Sequence, residues 1–316
     1  MYEQLLSLDT VRIKFSAEGM HIINIVLAFV MFGVALGIRL EMFKSVLRYP
    51  KSVILGLFSQ WVALPAVTFL IVILFNQFIT PMVAMGMILV AACPGGNISN
   101  FMTQFSKGNT ELSISLTAVT TAFSTIITPA NFAFWGGLYV NFINKQAGQA
   151  LQTLHIEFMP MFQTVFLLLG VPLLLGALVV KFLPKVAEKL KKPLQYLSIL
   201  FFIAMVVMAF SNNLELFLKH IVFIFFLVLI HNAAALLTGF GLSTAFKIPR
   251  VDRRTLTIET GIQNSGLGLV LLFNPKIFPP DMAIGGMLFV TAWWGIWHII
   301  SGLAISFYWS HRPIKK

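Results

Sequence analysis

Cys93-Pro94-Gly95-Gly96-Asn97-Ile98-Ser99-Asn100 and Glu259-Thr260-Gly261-Ile262-Gln263-Asn264-Ser265-Gly266 are the two stretches that decide the fold of this chain. Each interrupts a hydrophobic segment with glycine and amide residues, which predicts a break in a helix. Lipid offers no hydrogen bonds to backbone groups freed by a break, so a broken helix at membrane depth persists only against protein or a wet cavity. A pair of such breaks, one in each half of a chain, indicates a substrate site inside a membrane.

The composition is that of an integral membrane protein. Of the 316 residues, 58% are hydrophobic and only 10% are charged, whereas a soluble domain carries about a quarter charged residues. The net charge of +11 comes from loops between apolar segments, and no basic run is interleaved with an aromatic platform. Membrane lipid is therefore an expected partner, and nucleic acid is not.

The apolar stretches predict an all-α fold with nine transmembrane helices of about 20 residues each. Counted on alternate sides of these spans, 17 of the 22 lysines and arginines lie on one side. The positive-inside bias then places the N-terminus outside and the C-terminus in the cytoplasm, in a plasma (inner) membrane. The predicted spans are 20–38, 52–75, 82–103, 112–136, 158–180, 194–210, 221–246, 255–273 and 282–308.

The order of the spans predicts an inverted repeat. The broken third span runs inward and the broken eighth span runs outward, and each is followed by one more span, so the pairs 82–136 and 255–308 have opposite orientations. The span at 158–180 has no partner in the first half. The predicted organisation is an external segment 1–19, a first half of four spans 20–136, an external linker 137–157, a second half of five spans 158–308 and a cytoplasmic tail 309–316.

Glu259 is the only acidic residue that lies deep within a predicted span. A carboxylate inside a membrane is costly unless it is paired, so by default it marks a functional site. No lysine or arginine lies at the same depth, which leaves a bound cation, a proton or neutral donors as its partners.

Neutral oxygen donors surround the two breaks in the sequence. Ser113 and Thr117 are four residues apart and share a helix face, and Gln60 lies in the middle of a span. One carboxylate with hydroxyl, amide and freed backbone oxygens suits a hard cation. Sodium fits this set, and a proton on Glu259 is the chief alternative. Ordinary hydrogen bonding between helices also explains single serines and threonines.

Two other classes of function stay open on the residues alone. An intramembrane hydrolase would use Ser265 as the nucleophile and His298 as the base, which requires hydrogen-bond reach between them. A channel-like sensor would bind its ligand without concentrating it. Inverted repeats are unexpected for a hydrolase, so we expect that the protein is not an enzyme.

The chain resembles the bile acid:sodium symporter family in the two interrupted stretches and in Trp297-His298-Ile299-Ile300-Ser301-Gly302. The resemblance runs through essentially all nine spans and implies a fold with a panel domain and a core domain, in which two broken helices cross near the membrane centre. The panel would comprise 20–38, part of 52–75, 158–180 and 194–210. The unpartnered span at 158–180 is typical of the nine-span form of this family.

The resemblance also implies two sodium sites and a substrate pocket. One sodium ion would be held by Ser99, Asn100, Ser113, Thr117 and Glu259. A second would be held by Gln60, Glu259, Gln263 and the backbone carbonyls of Thr260 and Ile262. The pocket between panel and core would be lined by Asn97, Ile98, Asn264, Ser265 and His298, with Ile299 where some bacterial members have asparagine.

The expected function is sodium-coupled import of an organic anion by alternating access. The resemblance admits a bile-acid-like substrate or a small carboxylate. Ile299 removes a polar contact and argues against a steroid-like ligand held in the same pose. The protein is expected to be a monomer, and proton-coupled transport of an organic anion is the nearest alternative.

Overall fold

The computed structural model describes residues 2–12, 17–37, 48–147, 158–211, 214–279, 281–312 and 314. They form an all-α structure in which two helices, α3 (Pro50–Leu74) and α7 (158–182), each contain one π-helical turn, Ser59–Ala63 and Phe166–Gly170. The helices are α1 Tyr2–Asp9, α2 Ala17–Ala35, α3 Pro50–Leu74, α4 Pro81–Ala92, α5 Ile98–Phe105, α6 Thr110–Ala147, α7 158–182, α8 Pro184–Ser211, α9 Leu214–Ala245, α10 Arg250–Gly261, α11 Ser265–Leu272 and α12 Gly285–Ser310.

Four helices within the described residues are long and apolar enough to cross a membrane: α3, α6, α9 and α12. The predicted spans 82–103 and 255–273 are each divided into two short helices, α4 with α5 and α10 with α11. An all-α membrane protein is thereby supported. The total of nine spans and the inverted repeat stay predictions.

The two breaks have different local causes. Pro94 disfavours a helical conformation for the residue before it, and Cys93 is extended with φ −71° and ψ 155°. The second break contains no proline. There α10 ends at Gly261, and Asn264 caps α11 because its side-chain oxygen accepts a hydrogen bond from the Leu267 N–H. Asparagine is among the preferred residues at this capping position.

The helices pack as two groups. In the first, α2, α7 and α8 contact one another, while α4 lies at the centre of the second group with every residue from Met82 to Ala92 buried. Close approach of α4 and α12 requires Gly86, since a Cβ there would lie 2.7 Å from the Met287 Cα. The predicted panel included part of 52–75, but α3 packs on α4, α6, α9 and α10 in the second group.

Two segments predicted to lie outside the membrane spans contain helix with buried side chains. Residues 137–147 of the predicted linker continue α6, because Tyr139 and Val140 are buried in the hydrophobic core and Ile143 packs against it. The rest of that linker, 148–157, lies outside the described residues. The predicted external segment 1–19 contains α1, whose Leu5 and Leu8 are fully buried.

The segment after α1 is joined to the start of α12. The Val11 carbonyl accepts hydrogen bonds from the Ile284 and Gly285 N–H groups at 3.0 and 3.1 Å. Asp9 at the end of α1 reaches the start of α4, where it accepts hydrogen bonds from the Met82 N–H and the Thr80 hydroxyl, both at 3.0 Å. A carboxylate at a helix N-terminus is favourable because the helix dipole is positive there.

Arg254 joins the ends of three helices opposite α1. From α10 its guanidinium donates to the Ser106 carbonyl after α5 at 2.5 Å, to the Trp309 carbonyl of α12 at 3.0 Å and to the Arg312 carbonyl at 2.5 Å. The last carbonyls of a helix have no partners within it and carry partial negative charge. Arg254 therefore fixes α10, which carries Glu259, to α5 and α12.

We expect Arg254→Gln to lower the free energy of unfolding by roughly 2–4 kcal/mol, because charged hydrogen bonds to one buried and two partly buried carbonyls are lost. The melting temperature in detergent measures this loss. Arg250→Gln is the matched control, since Arg250 is exposed in the first turn of the same helix. Equal melting temperatures for the two variants would contradict the role of Arg254.

Burial raises the pKa of Asp9 to about 6, although hydrogen bonds from Met82 and Thr80 favour its charged form. The pKa in an unfolded chain is about 3.9, so the folded protein binds this proton more tightly. The stability that protonated Asp9 contributes is therefore present at low pH and lost as the pH rises through about 6.

We expect Asp9→Asn to remove this fall in stability, measured as the melting temperature between about pH 4 and pH 7. Glu3→Gln, an exposed position on the same helix, should keep the pH dependence of the original protein. A pH profile of Asp9→Asn that parallels the profile of Glu3→Gln would show that another group titrates.

Candidate functional site

The two breaks cross and satisfy each other's backbone groups. Gly96 donates its N–H to the Ile262 carbonyl, and Asn264 donates its N–H to the Pro94 carbonyl, both at 2.7 Å. Gly95 and Gln263 thereby form an isolated antiparallel bridge. Backbone groups buried away from water need such partners. Each break therefore supplies the hydrogen bonds that the other one lost, which accounts for their occurrence as a pair.

Glu259 lies one turn before the second break and is fully buried. Three hydroxyl groups from the first half of the chain surround its carboxylate. Ser99 of α5 lies 2.5 Å from Oε1, Ser113 of α6 also contacts Oε1, and Thr117 of α6 lies 3.3 Å from Oε1 and 3.1 Å from Oε2. The structure thus brings together these four residues, which were expected to hold one sodium ion, and their role in ion binding stays a prediction.

The cluster around Glu259 holds more close oxygen–oxygen pairs than its hydroxyl protons can bridge. The Asn100 Oδ1 lies 2.9 Å from the Ser113 hydroxyl and 3.3 Å from the Thr117 hydroxyl, which already contact Glu259. Each hydroxyl has only one proton to donate. Several of these close oxygen pairs therefore lack a proton between them. An oxygen-rich cluster of this kind is suited to a hard cation.

A second set of polar atoms lies on the other side of Glu259. Gln60 is 1% exposed in the π-helical turn of α3, and both atoms of its amide lack a hydrogen-bond partner, as does the Gln263 Oε1. Gly95 lies between these groups, since a Cβ there would be 2.9 Å from the Gln60 Oε1 and 3.2 Å from the Glu259 Oε2. Unpaired buried amide oxygens beside a carboxylate are free to coordinate a cation.

The backbone carbonyls expected in the second ion site are present but already accept hydrogen bonds. The Thr260 carbonyl accepts from the Gln263 Nε2 at 2.9 Å, and the Ile262 carbonyl accepts from Gly96. A carbonyl oxygen has two lone pairs, so each can still contact an ion. The Thr260 side chain is held by the Ser59 hydroxyl at 2.8 Å.

A cavity of about 700 Å³ lies between the two groups of helices. Asn97 and Ile98 line it, as expected, together with Asn100 and Thr117 from the Glu259 cluster. Four residues expected in the substrate pocket do not line this cavity: Asn264, Ser265, His298 and Ile299. The remaining walls are Gly33, Val34 and Gly37 of α2 and its end, Phe101 of α5, Ile114, Ala118 and Thr121 of α6, and Lys191, Gln195, Ser198 and Ile199 of α8.

Ser265 and His298 do not form the pair that a hydrolase requires. Ser265 is 1% exposed and His298 is 6% exposed, yet the Ser265 hydroxyl and the His298 Nδ1 both lack a hydrogen-bond partner. A serine nucleophile needs its base within hydrogen-bond distance. Within the described part of the chain, no three side chains of histidine, cysteine, aspartate and glutamate are grouped as a metal centre.

Sequence reasoning missed two parts of this region. Asn232 of α9 donates to the Gly261 carbonyl at 2.8 Å and accepts from Ser301 of α12 at 2.6 Å, so it fixes the end of α10. An amide in the middle of a hydrophobic span was the available signal. The polar face of α8 in the cavity gave no comparable signal, because Lys191 resembles any lysine in a loop beside a predicted span.

Comparison with known proteins agrees with this architecture. The chain matches the Sodium Bile acid symporter family over residues 24–220. It is 31% identical over 294 residues to the uncharacterized sodium-dependent transporter YocS of Bacillus subtilis, covering 93% of this chain and 84% of that protein.

More distant relatives are longer than this chain. Identity is 28% to the probable chloroplastic sodium/metabolite cotransporter BASS2 of Oryza sativa, covering 84% of this chain and 62% of that protein. It is 25% to human sodium/bile acid cotransporter 4, covering 83% of this chain and 57% of that protein. The chain is a multi-pass membrane protein. The family and these relatives identify it as a sodium-dependent transporter and not as an enzyme. It belongs to the sodium bile acid symporter family.

Proposed function

We propose that this protein is a symporter that imports an organic anion together with sodium by alternating access. The observation that carries the proposal is Glu259, a fully buried carboxylate surrounded by oxygen atoms. Among the described residues, no lysine, arginine or histidine forms an ion pair with it. A charge buried in this way requires a mobile counter-ion, and the family and its relatives indicate sodium.

We assign two sodium ions to the two sides of the Glu259 carboxylate. The first ion would contact Glu259, Ser99, Asn100, Ser113 and Thr117. The second would contact Glu259, Gln60, Gln263 and the carbonyls of Thr260 and Ile262. The unpaired amide oxygens support the second site, and the excess of close oxygen–oxygen pairs over hydroxyl protons supports the first.

The substrate would occupy the cavity beside Asn97 and Ile98, at the start of α5, where the helix dipole favours an anion. The four other residues expected in the substrate pocket lie on two different helices. Asn264 and Ser265 are at the start of α11, and His298 and Ile299 are in the middle of α12. We assign them to the opposite, outward-facing state of the transport cycle. Bile-acid-like anions and small carboxylates both fit a cavity of about 700 Å³.

Coupling follows from the position of the ions between the two broken helices. Sodium bound at Glu259 would neutralise the carboxylate and hold α5, α6 and α10 together, which completes the anion site. This is a coupling free energy between two sites. Two sodium ions entering with one monovalent anion carry net positive charge inward, which gains about 2.3 kcal/mol per 100 mV.

We propose that the protein acts as a monomer in the plasma membrane with its N-terminus outside. Lysine and arginine are concentrated on the side that this orientation makes cytoplasmic, as the positive-inside bias requires. Under this orientation the cavity bearing Lys191 opens toward the cytoplasm, and the structure corresponds to an inward-facing state.

Sodium should raise the melting temperature of the purified protein above its value in potassium, and Glu259→Gln should remove this difference. The physical reason is that a ligand stabilises the folded state by about 2.7 kcal/mol at a concentration 100 times its Kd. Glu215→Gln, an exposed position, is the matched control and should keep the sodium effect.

The same titration separates sodium from proton coupling. If sodium and potassium gave equal melting temperatures while acidic pH stabilised the original protein and not Glu259→Gln, a proton would be the coupling ion. A sodium effect that persisted in Glu259→Gln would remove Glu259 from the ion sites.

Gly95→Ala should weaken sodium stabilisation without loss of folding, because its methyl group would fill the space between the Gln60 Oε1 and the Glu259 Oε2. The measurement is the sodium concentration that gives half of the maximal thermal shift. Gly137→Ala is the control, since a Cβ there has no neighbour within 4 Å. An unchanged sodium dependence in Gly95→Ala would place the second ion elsewhere.

A further inference from the structure

The cavity between the two groups of helices has one charged side chain among the described residues that line it, Lys191 of α8. Lys191 is half-buried, whereas Lys192 beside it is exposed and does not line the cavity. No ion pair involves Lys191 within the described part of the chain. Its positive charge therefore lies at the cavity wall without an ion-pair partner among the described residues.

Lys191 belongs to a polar face of α8. Gln195 and Ser198 follow at spacings of four and three residues, so the three side chains lie on the same side of the helix, and all three line the cavity. This turn of α8 packs closely on α2, because a Cβ at Gly33 would lie 2.7 Å from the Leu194 Cβ. The position of the lysine is thus fixed by helix packing.

The opposite wall differs in character. It has a polar region at the start of α5 and on α6, formed by Asn97, Asn100 and Thr117. The rest of its surface is apolar and includes Ile98, Phe101 and Ile114. A ligand that fits both walls has an apolar body and an anionic group. Lysine is a compact point charge that accommodates a carboxylate or a sulfonate equally well.

We propose that Lys191 is the counter-ion for the anionic group of the transported substrate and selects for charge in the cavity. This proposal rests on the proposed function and extends it, because it adds a charged contact from the helix group of α2, α7 and α8 to the substrate that lies beside the start of α5. Sodium is assigned to the other group. A bound anion then links the two groups of helices across the cavity, so that substrate and sodium together stabilise the closed arrangement.

The experiment measures charge selection with thiol reagents at a residue of the cavity wall. Ile199→Cys, in a Cys93→Ala background, provides a reactive thiol that lines the cavity. The purified protein is modified with anionic sulfonatoethyl methanethiosulfonate or with cationic trimethylammonioethyl methanethiosulfonate at low ionic strength. The ratio of the two rates is compared among variants that carry Lys191, Lys191→Gln, Lys191→Glu or Lys192→Gln. Ser198→Cys is a second reporter if Ile199→Cys does not fold.

Removal of one nearby unit charge changes the local concentrations of an anion and a cation in opposite directions, so Lys191→Gln should lower the anion-to-cation rate ratio by roughly tenfold. Lys191→Glu should lower it further, and Lys192→Gln should leave it near its original value. An equal ratio in Lys191→Gln and Lys192→Gln would overturn the proposal.

The labelling does not depend on sodium coupling. Adding Glu259→Gln to the reporter protein tests the two proposals separately. If Lys191→Gln still lowers the anion-to-cation rate ratio but Glu259→Gln keeps the sodium stabilisation, the proposed function fails and the anion site stands. If sodium stabilisation behaves as proposed and Lys191→Gln has no effect, only the anion site fails.

Discussion

A fully buried carboxylate, which has no cationic partner among the described residues, is the constraint on which the rest of this structure depends. Glu259 lies where α5, α6 and α10 meet, and hydroxyl groups from the first half of the chain contact it. The cost of burying a charge in this way is several kcal/mol unless other groups compensate it. Hydroxyl contacts alone leave it without charge compensation, so an ion that enters and leaves with the transport cycle is the natural partner.

The crossing of the two breaks gives that carboxylate its surroundings. Gly96 and Asn264 donate to carbonyls of the opposite break, and the short bridge between Gly95 and Gln263 replaces the helical hydrogen bonds. Because those bonds join the two halves of the chain, ions in the proposed sites beside Glu259 would contact both halves at once. Near this bridge, the amide oxygens of Gln60 and Gln263 lack hydrogen-bond partners, and Gly95 lies between the Gln60 Oε1 and the Glu259 Oε2. The backbone hydrogen bonds of the crossing and the proposed ion ligands therefore lie in the same region of the structure.

The sequence predicted the residues around Glu259 because their chemistry is unusual at membrane depth. An acidic residue inside a span is costly and by default marks a functional site, and glycine and amide residues inside hydrophobic segments indicate breaks in the helices. The assignment of Ser113 and Thr117 to Glu259 came from the resemblance, and the contacts agree with it.

Other features gave no such signal. Residues 1–19 were predicted only as an external segment, and burial of Leu5 and Leu8 in α1 depends on surfaces of α4, α9 and α12 that are distant in sequence. The extension of α6 to Ala147 likewise depends on tertiary burial of Tyr139. Packing of α3 with α4 and α9, in place of the expected panel, is a property of helix surfaces that span prediction does not consider.

The most direct test of the account is equilibrium binding of radiolabelled sodium to the purified protein. The account predicts two sodium ions for each chain, with potassium a weak competitor, because the oxygen atoms on the two sides of Glu259 form separate sites. No bound sodium, or binding that potassium displaces equally well, would contradict it.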